Sequence, residues 1–409
     1  MPDTRPVAAK RLGSVLNPVI PILAALLKDH PTALSLGQGM VSWGPPDPVR
    51  DCLRDACRNA SGCDQYGAVE GDQELLQALR EKLAGVERID LAASALIVTA
   101  GSNMAFHAIA QVICDPGSEV IVPTPYYFNH VMAIQLAGGQ PVAVDAGILP
   151  DPDQLAAAIT ERTRAIVTVS PGNPSGAVLP EERLKAINQL CARYGLFHLH
   201  DEAYMAFCHG EIPHWSPASL SGSGHHTVTL RSFSKSHGLA GWRLGYMAAP
   251  EQLRPALAKV QDTIAICPSR PMQRAALAAL NVPDKWVKEK VMTLQVKRLR
   301  MQELFRCNDS PWRLLGPCDG ALYGLVGLDA AGASARTAAG ASDQEQGCAE
   351  LMQVLVRRFG VGVLSGKSFG LAASSFRISY GMLEEQAFEQ AMQRLLKGLN
   401  TLAASRHLH

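Results

Sequence analysis

Lys235 sits in Ser232-Phe-Ser234-Lys235 and is followed by Gly238, Gly241, Arg243 and Gly245. A primary amine beside hydroxyls and a permanent cation can bond a carbonyl carbon or move a proton. Read as S-x-x-K, the same residues could be a serine nucleophile with its lysine, but that chemistry also wants S-D-N and K-T-G, and neither tripeptide occurs. Taken alone, Lys235 reads as a solvated surface cation, but the glycines and the arginine that follow it set it apart from one. Further chemistry is spread along the chain. Ala100-Gly101-Ser102-Asn103 opens a helix whose free amides suit a phosphate. His200-Asp201-Glu-Ala-Tyr204 supplies an acid and a phenol, and Arg377 in Phe376-Arg377-Ile-Ser-Tyr-Gly381 supplies a planar fork for a carboxylate.

Two other patterns are weaker. Gly366-Lys367-Ser368 ends like a phosphate loop, but Val361 stands where the motif needs glycine. His198-Leu-His200-Asp201 has metal-ligand residue types, yet in a strand the two histidines share one face and Asp201 takes the other. Core or dimer-facing histidines are the expectation, and no metal site. The ten cysteines include no C-x-x-C pair, which reads as thiols in a reducing, cytoplasmic compartment.

The elements that must position these residues follow from hydrophobic patterning. Short apolar runs at Ala95–Ala100, Glu119–Pro123, Ala165–Ser170, Leu196–His200, Thr227–Ser232 and Leu244–Ala249 predict buried strands. Helical patterns at Gly71–Val86, Ala105–Cys114, Glu181–Tyr194 and Pro250–Ile266 fill gaps between them. That alternation predicts a largely parallel sheet covered on both faces. A single long helix over Trp286–Arg306 is expected to connect to a second part with strands at Ala321–Leu328, Gly360–Leu364 and Phe376–Tyr380. Helices are expected there at Cys348–Arg358 and Glu384–Leu399. The division is an arm at 1–45, a large α/β domain at 46–295 and a small α+β domain at 296–409 built with the arm; 329–347, rich in Ala, Gly and Ser, reads as a surface insertion.

Composition limits the function classes. The 409 residues carry a net charge of +1, a charged fraction of 18% and a hydrophobic fraction of 47%. Electrostatic capture of nucleic acid needs a clustered positive surface, which such a balance does not favour. No apolar run reaches the length of a membrane span.

Taken in order, these motifs resemble the class I/II aminotransferases, fold-type I enzymes that use pyridoxal 5′-phosphate, over nearly the whole chain. The resemblance implies that Lys235 attaches the cofactor, Asp201 pairs with its ring nitrogen, and Tyr204 and Asn173 of Ser170-Pro-Gly-Asn173-Pro-Ser-Gly176 reach its phenolic oxygen. Gly101, Ser102, Asn103, Ser232 and Arg243 would hold its phosphate, with Tyr66 of Gln65-Tyr66-Gly67 serving the neighbouring subunit of a homodimer. Tyr127 in Pro123-Thr-Pro-Tyr-Tyr127-Phe-Asn-His130 matches the aromatic that stacks on the ring. Arg377 and Gly39 of Leu36-Gly-Gln-Gly39-Met40 would meet the substrate.

The implied reaction passes an amino group from an L-amino acid to a 2-oxo acid. Met40, Val41 and Trp43, where the family often has G-x-P-D, suggest a neutral or aromatic side-chain pocket. A β-eliminating C–S lyase on the same cofactor is the alternative. A non-catalytic cofactor-binding regulator and the S-x-x-K hydrolase stand behind it.

Overall fold

The computed structural model describes residues 8–58, 62–306, 311–328, 351–371 and 375–406. Its centre is a seven-stranded sheet in the order β2-β8-β7-β6-β5-β3-β4. These strands are β2 (Ser94–Thr99), β3 (Glu119–Pro123), β4 (Gln140–Val144), β5 (Thr163–Val169), β6 (Phe197–Asp201), β7 (Thr227–Ser232) and β8 (Gly245–Pro250). All neighbours are parallel except β8, which runs antiparallel to both β2 and β7.

Because side chains alternate across a strand, the sheet feeds two cores. On one face Ile97, Val120, Val122, Val167, Leu199, Leu230 and Met247 form a single core with α4 (Ser102–Ile113), α5 (Phe128–Leu136) and α8 (Arg254–Ala265). The other face is apolar only at its ends. Leu96, Val98 and Tyr246 pack on α3 (Gln73–Glu81) and α9 (Arg270–Leu280), while Ile121 and Ile166 pack on α7 (Glu181–Tyr194) and Leu155 of the short α6 (Pro152–Ala157). Between these ends Thr168, His198, His200, Thr229 and Arg231 are all buried.

A second sheet, in the order β12-β13-β10-β9, is antiparallel and joins β9 (Trp312–Leu314), β10 (Tyr323–Leu328), β12 (Leu364–Ser365) and β13 (Ser375–Ser379). The chain ends meet where β1 (Leu34–Ser35) pairs in parallel with β11 (Val361–Gly362). Helix α1 (Val19–Lys28) places Val19 and Leu23 against Phe128, Val356, Leu364 and Phe369, so the arm touches both sheets' surroundings. Helix α2 (Asp47–Arg58) lies on α9, with Cys52 Sγ donating to the Arg274 carbonyl at 3.5 Å.

Three expectations are corrected. The Trp286–Arg306 stretch is two helices, α10 (Asp284–Met292) and α11 (Gln295–Arg306), because Thr293 Oγ1 bonds the Lys290 carbonyl at 2.7 Å and a tight turn buries Leu294. Strand β4 was not expected; its Pro141 and half-exposed pattern belong to a sheet edge. Helix α5 begins inside the segment read only as an aromatic motif. The insertion at 329–347 and the start of the Cys348–Arg358 helix lie outside the described residues.

Candidate active site

The motif residues come from segments that end or follow parallel strands. Asp201 closes β6, Ser232 closes β7, Lys235 follows β7, Asn173 follows β5, and Gly101 links β2 to α4. Ligands of open α/β sheets bind at such carboxyl ends. A cavity of about 220 Å³ opens there, lined by Ser102, Asn103, Tyr127, Asn173, Asp201, Tyr204, Ser232, Lys235, Arg243 and Arg377, with Gly39 contributed by the arm.

At one end the cavity is built for an anion. The Gly101 carbonyl accepts from the Met104 and Ala105 amides at 3.1 and 3.3 Å, which leaves the Ser102 and Asn103 amides at the tip of α4, where N-cap Gly101 has no side chain to satisfy them. Gly101 has φ +86°, and a Cβ there would collide with the Arg243 guanidinium. Arg243 itself adopts φ +55°, and its Nη1 and Nη2 donate to the Ala240 and Ala100 carbonyls at 2.8 and 3.3 Å. Ser232 Oγ accepts from the Ser234 amide at 3.1 Å.

At the cavity floor Asp201 is 5% exposed and held on both oxygens. Its Oδ1 accepts from the Ala203 amide at 2.9 Å, and its Oδ2 lies 3.0 Å from His130 Nε2. His130 is stacked on Phe106, with ring centroids 4.0 Å apart. The carboxylate therefore cannot turn away from the cavity without breaking two contacts. Tyr127, which lines the same cavity, accepts at Oη from Asn129 Nδ2 at 2.8 Å.

Lys235 Nζ donates to the Gly39 carbonyl at 2.5 Å, across the gap between large sheet and arm. Burial, and then the positive charges of Arg243 and Arg377, pull its pKa down from 10.5 to about 8. About a tenth of such an amine is neutral at pH 7, far more than of a free lysine, and the neutral form is the one nucleophilic attack requires.

Arg377, 1% exposed on β13, sends Nη1 to Asn173 Oδ1 at 2.7 Å and Nη2 to the Gly37 carbonyl at 2.5 Å. Its guanidinium carbon lies 4.3 Å from the Tyr323 ring centroid and 5.2 Å from that of Phe369. Its Nε is buried with no hydrogen-bond partner among the described residues. Tyr204 Oη stands 2.5 Å from Tyr323 Oη. Burial pushes both phenols up, with Arg377 opposing the rise, so both stay protonated at neutral pH.

The structure thus brings every motif residue into one cavity except two. Gly101 lies at its edge beneath Arg243, and Tyr66 stands outside, 79% exposed. The expected side-chain wall is also revised. Met40 lines the cavity, but Val41 is buried in the core and Trp43 stacks on Phe207 with centroids 6.3 Å apart. Tyr323 and Ile20 are members of the cavity that the motifs did not reveal. Tyr323 was concealed in an apolar run that reads as an ordinary strand. His130 had a usable signal in its place three residues after Tyr127, which caps α5, so that the first turn brings the two rings to 5.1 Å.

His198 and His200 are fully buried, and both meet Thr168 Oγ1, at 2.7 and 2.6 Å. Among the described residues no group of three or more His, Cys, Asp or Glu side chains could hold a metal ion. None of the described helices is long and apolar enough to cross a membrane.

A doubly covered, mainly parallel sheet with a lysine, an acid, an anion-binding helix end and a carboxylate fork converging at its carboxyl edge defines a transferase site of the fold-type I kind. The family model described as "Aminotransferase class I and II" matches residues 32–395, and the chain belongs to that family. Over 406 residues it is 33% identical to aromatic aminotransferase ISS1 of Arabidopsis thaliana, covering 97% of each chain. It is 31% identical to an aspartate aminotransferase of Pyrococcus abyssi, covering 92% of this chain and 93% of the relative. Among solved structures, Thermus thermophilus aspartate aminotransferase double mutant 1 superposes with a TM-score of 0.83 at 27% identity, covering 97% of this chain and 100% of that one. The protein is a pyridoxal-phosphate-dependent aminotransferase, and the C–S lyase alternative is not favoured.

Proposed function

We propose that this aminotransferase takes its amino group from an L-amino acid with a neutral or aromatic side chain and gives it to a 2-oxo acid. The carrying observation is that Lys235 Nζ, the Asp201 carboxylate, the α4 N-terminus and the Arg377 fork all face one cavity. Pyridoxal 5′-phosphate fits this donor set. The uncapped α4 amides, Ser232 and Arg243 suit its phosphate, and Tyr66 is exposed enough to serve a second subunit of a homodimer. Asp201, pinned by His130 and the Ala203 amide, suits its ring nitrogen, while Asn173 and Tyr204 suit its phenolic oxygen.

When bound, the cofactor supplies the electron sink that lets a substrate Cα lose its proton. Lys235 is the residue that would carry it, and with the amine freed by substrate, Nζ would be placed to take the Cα proton and to return it to the carbon on the far side of the substrate nitrogen, two bonds away. Its pKa near 8 suits both directions of that transfer. Arg377 binds the substrate carboxylate and so orients Cα; Tyr127 and Asp201 hold the ring that receives the electrons.

The division of labour follows the chain. Residues 46–295 form the cofactor-binding domain, and 1–45 with 296–409 form the smaller one that brings Gly39 and Arg377. The neutral-pocket reading is supported by the cavity's cations: Arg243 lies at the phosphate end and Arg377 at the carboxylate, while Ile20, Met40 and Phe128 are apolar. A cytoplasmic setting is supported by the absence of disulfides among the described residues.

The test offers single L-amino acids to the holoenzyme without any 2-oxo acid. The expected outcome is one equivalent of 2-oxo acid per chain and then arrest until an acceptor is added. Continuous release of ammonia and pyruvate would establish the lyase instead. Aspartate outperforming methionine, glutamine and phenylalanine as donor would refute the neutral pocket.

A further inference from the structure

Tyr323 contributes to the cavity from β10, on the opposite side from the large sheet, and no motif assigned it a task. Two contacts define it. Its ring faces the Arg377 guanidinium at 4.3 Å, and its hydroxyl meets Tyr204 Oη at 2.5 Å. The second contact has a direction that follows from counting hydrogens. Each phenol carries one hydrogen and can donate once. If Tyr204 gives its hydrogen to the cofactor's phenolic oxygen, as the reading above requires, the hydrogen between the two tyrosines must come from Tyr323.

We propose that Tyr323 is the positioning residue that donates to Tyr204, and that Arg377, lying over its ring, strengthens the donation. A cation over the ring face is attracted by the π electrons and draws them from the phenol oxygen, making its hydrogen a better donor. A hydrogen bond received at Tyr204 Oη in turn polarises that group's own O–H. The result is a relay, Arg377 to Tyr323 to Tyr204, that connects the carboxylate fork with the phenolic oxygen by a path separate from the Arg377–Asn173 contact at 2.7 Å. The space is shaped for it. A Cβ at Gly39 would overlap the Tyr323 hydroxyl, so the arm can approach only as glycine. The other titratable or charged groups facing the pair are Tyr127, Asp201 and Tyr380, with Lys235 and Arg243 across the cavity.

The readout is the pH midpoint of the visible absorbance of the cofactor attached at Lys235, which needs no turnover. Weaker donation from Tyr204 leaves the phenolic oxygen more basic, so the proton it shares with the lysine nitrogen is lost at higher pH. Parent, Tyr323→Phe, Tyr204→Phe and the double variant are loaded with pyridoxal phosphate and titrated. Tyr323→Phe keeps the ring over Arg377, so KM should stay within about twofold while the midpoint rises by about half a pH unit, a threefold change in the proton equilibrium. In the Tyr204→Phe background the same substitution should move the midpoint by a fifth of that or less, because the relay is already cut. A parent with a visible band but no shift in Tyr323→Phe, or an equal shift in both backgrounds, overturns the relay alone. A parent that develops no band overturns the cofactor reading and the relay with it.

Discussion

At the residue scale, Lys235 is the group whose surroundings say most. Lys235→Ala should remove the visible absorbance and every half-reaction while leaving a folded protein; retained turnover would contradict the assignment. Its titration gives a second check in the cofactor-free protein. The folded pKa of about 8 lies below the unfolded value of 10.5, so between these pH values the unfolded chain binds more protons and stability rises with pH. Lys235→Met should therefore be more stable than the parent at pH 7, with the advantage shrinking from pH 8 towards 10.5 in paired urea melts. Arg377→Lys should raise KM for all amino acids alike, because a point charge cannot reproduce two parallel hydrogen bonds. These residues were legible in the sequence because the motifs around them occur in the order of a known family, and Lys235 is also followed by Gly238, Gly241 and Gly245. Tyr323 was not, since a tyrosine in an apolar strand has the same local pattern whether or not its hydroxyl points into a site.

At the scale of elements, the middle of the sheet is held by a chain of polar contacts with one direction. Asn188 on α7 donates from Nδ2 to His198 Nδ1 at 3.0 Å, which leaves the hydrogen of a neutral His198 on Nε2, where it can be given to Thr168 Oγ1 at 2.7 Å. Thr168 then donates to His200 Nδ1 at 2.6 Å, and His200 Nε2 points at Glu202, 3.7 Å away. Burial pulls His200 down to about 4, and Glu202 partly opposes this; His198 is pulled down too, first by burial and then by the positive charge that His200 and His226 can carry. Both rings therefore stay neutral.

Thr168→Val should leave two buried ring nitrogens short of a partner and cost about 1–3 kcal/mol for each, measurable by urea denaturation. The parent itself should lose stability as pH falls below about 6.5, because there the unfolded histidines take up protons that the buried ones refuse. The sequence placed both histidines on one strand face by simple alternation. It could not reveal Thr168 or Asn188, which reach that face from another strand and a helix. The same limit explains α10 and α11: a helical periodicity continues through Thr293, while the break is set by tertiary burial of Leu294.

At the scale of the whole molecule, the cavity of one chain accounts for every proposed contact except that of Tyr66. This ring is 79% exposed, in a segment tied back by Arg270, whose Nε donates to Asp72 Oδ1 at 3.0 Å and whose Nη1 reaches the Gly62 carbonyl. A large aromatic held out on a fixed turn, with Ile264 and Ile266 also exposed on the chain leading to Arg270, is the kind of surface that a second copy would cover. The prediction is a homodimer in which each Tyr66 completes the other chain's phosphate site. Mixing Tyr66→Phe chains with Lys235→Ala chains places both lesions in one site of the hybrid dimer and neither in the other. After random exchange about a quarter of all sites should regain parental properties, so activity per Lys235-bearing chain should rise above that of Tyr66→Phe alone. Light scattering fixes the oligomeric state at the same time. A fully active monomer, or a mixture no more active than its separate components after proven exchange, would rule out the shared site.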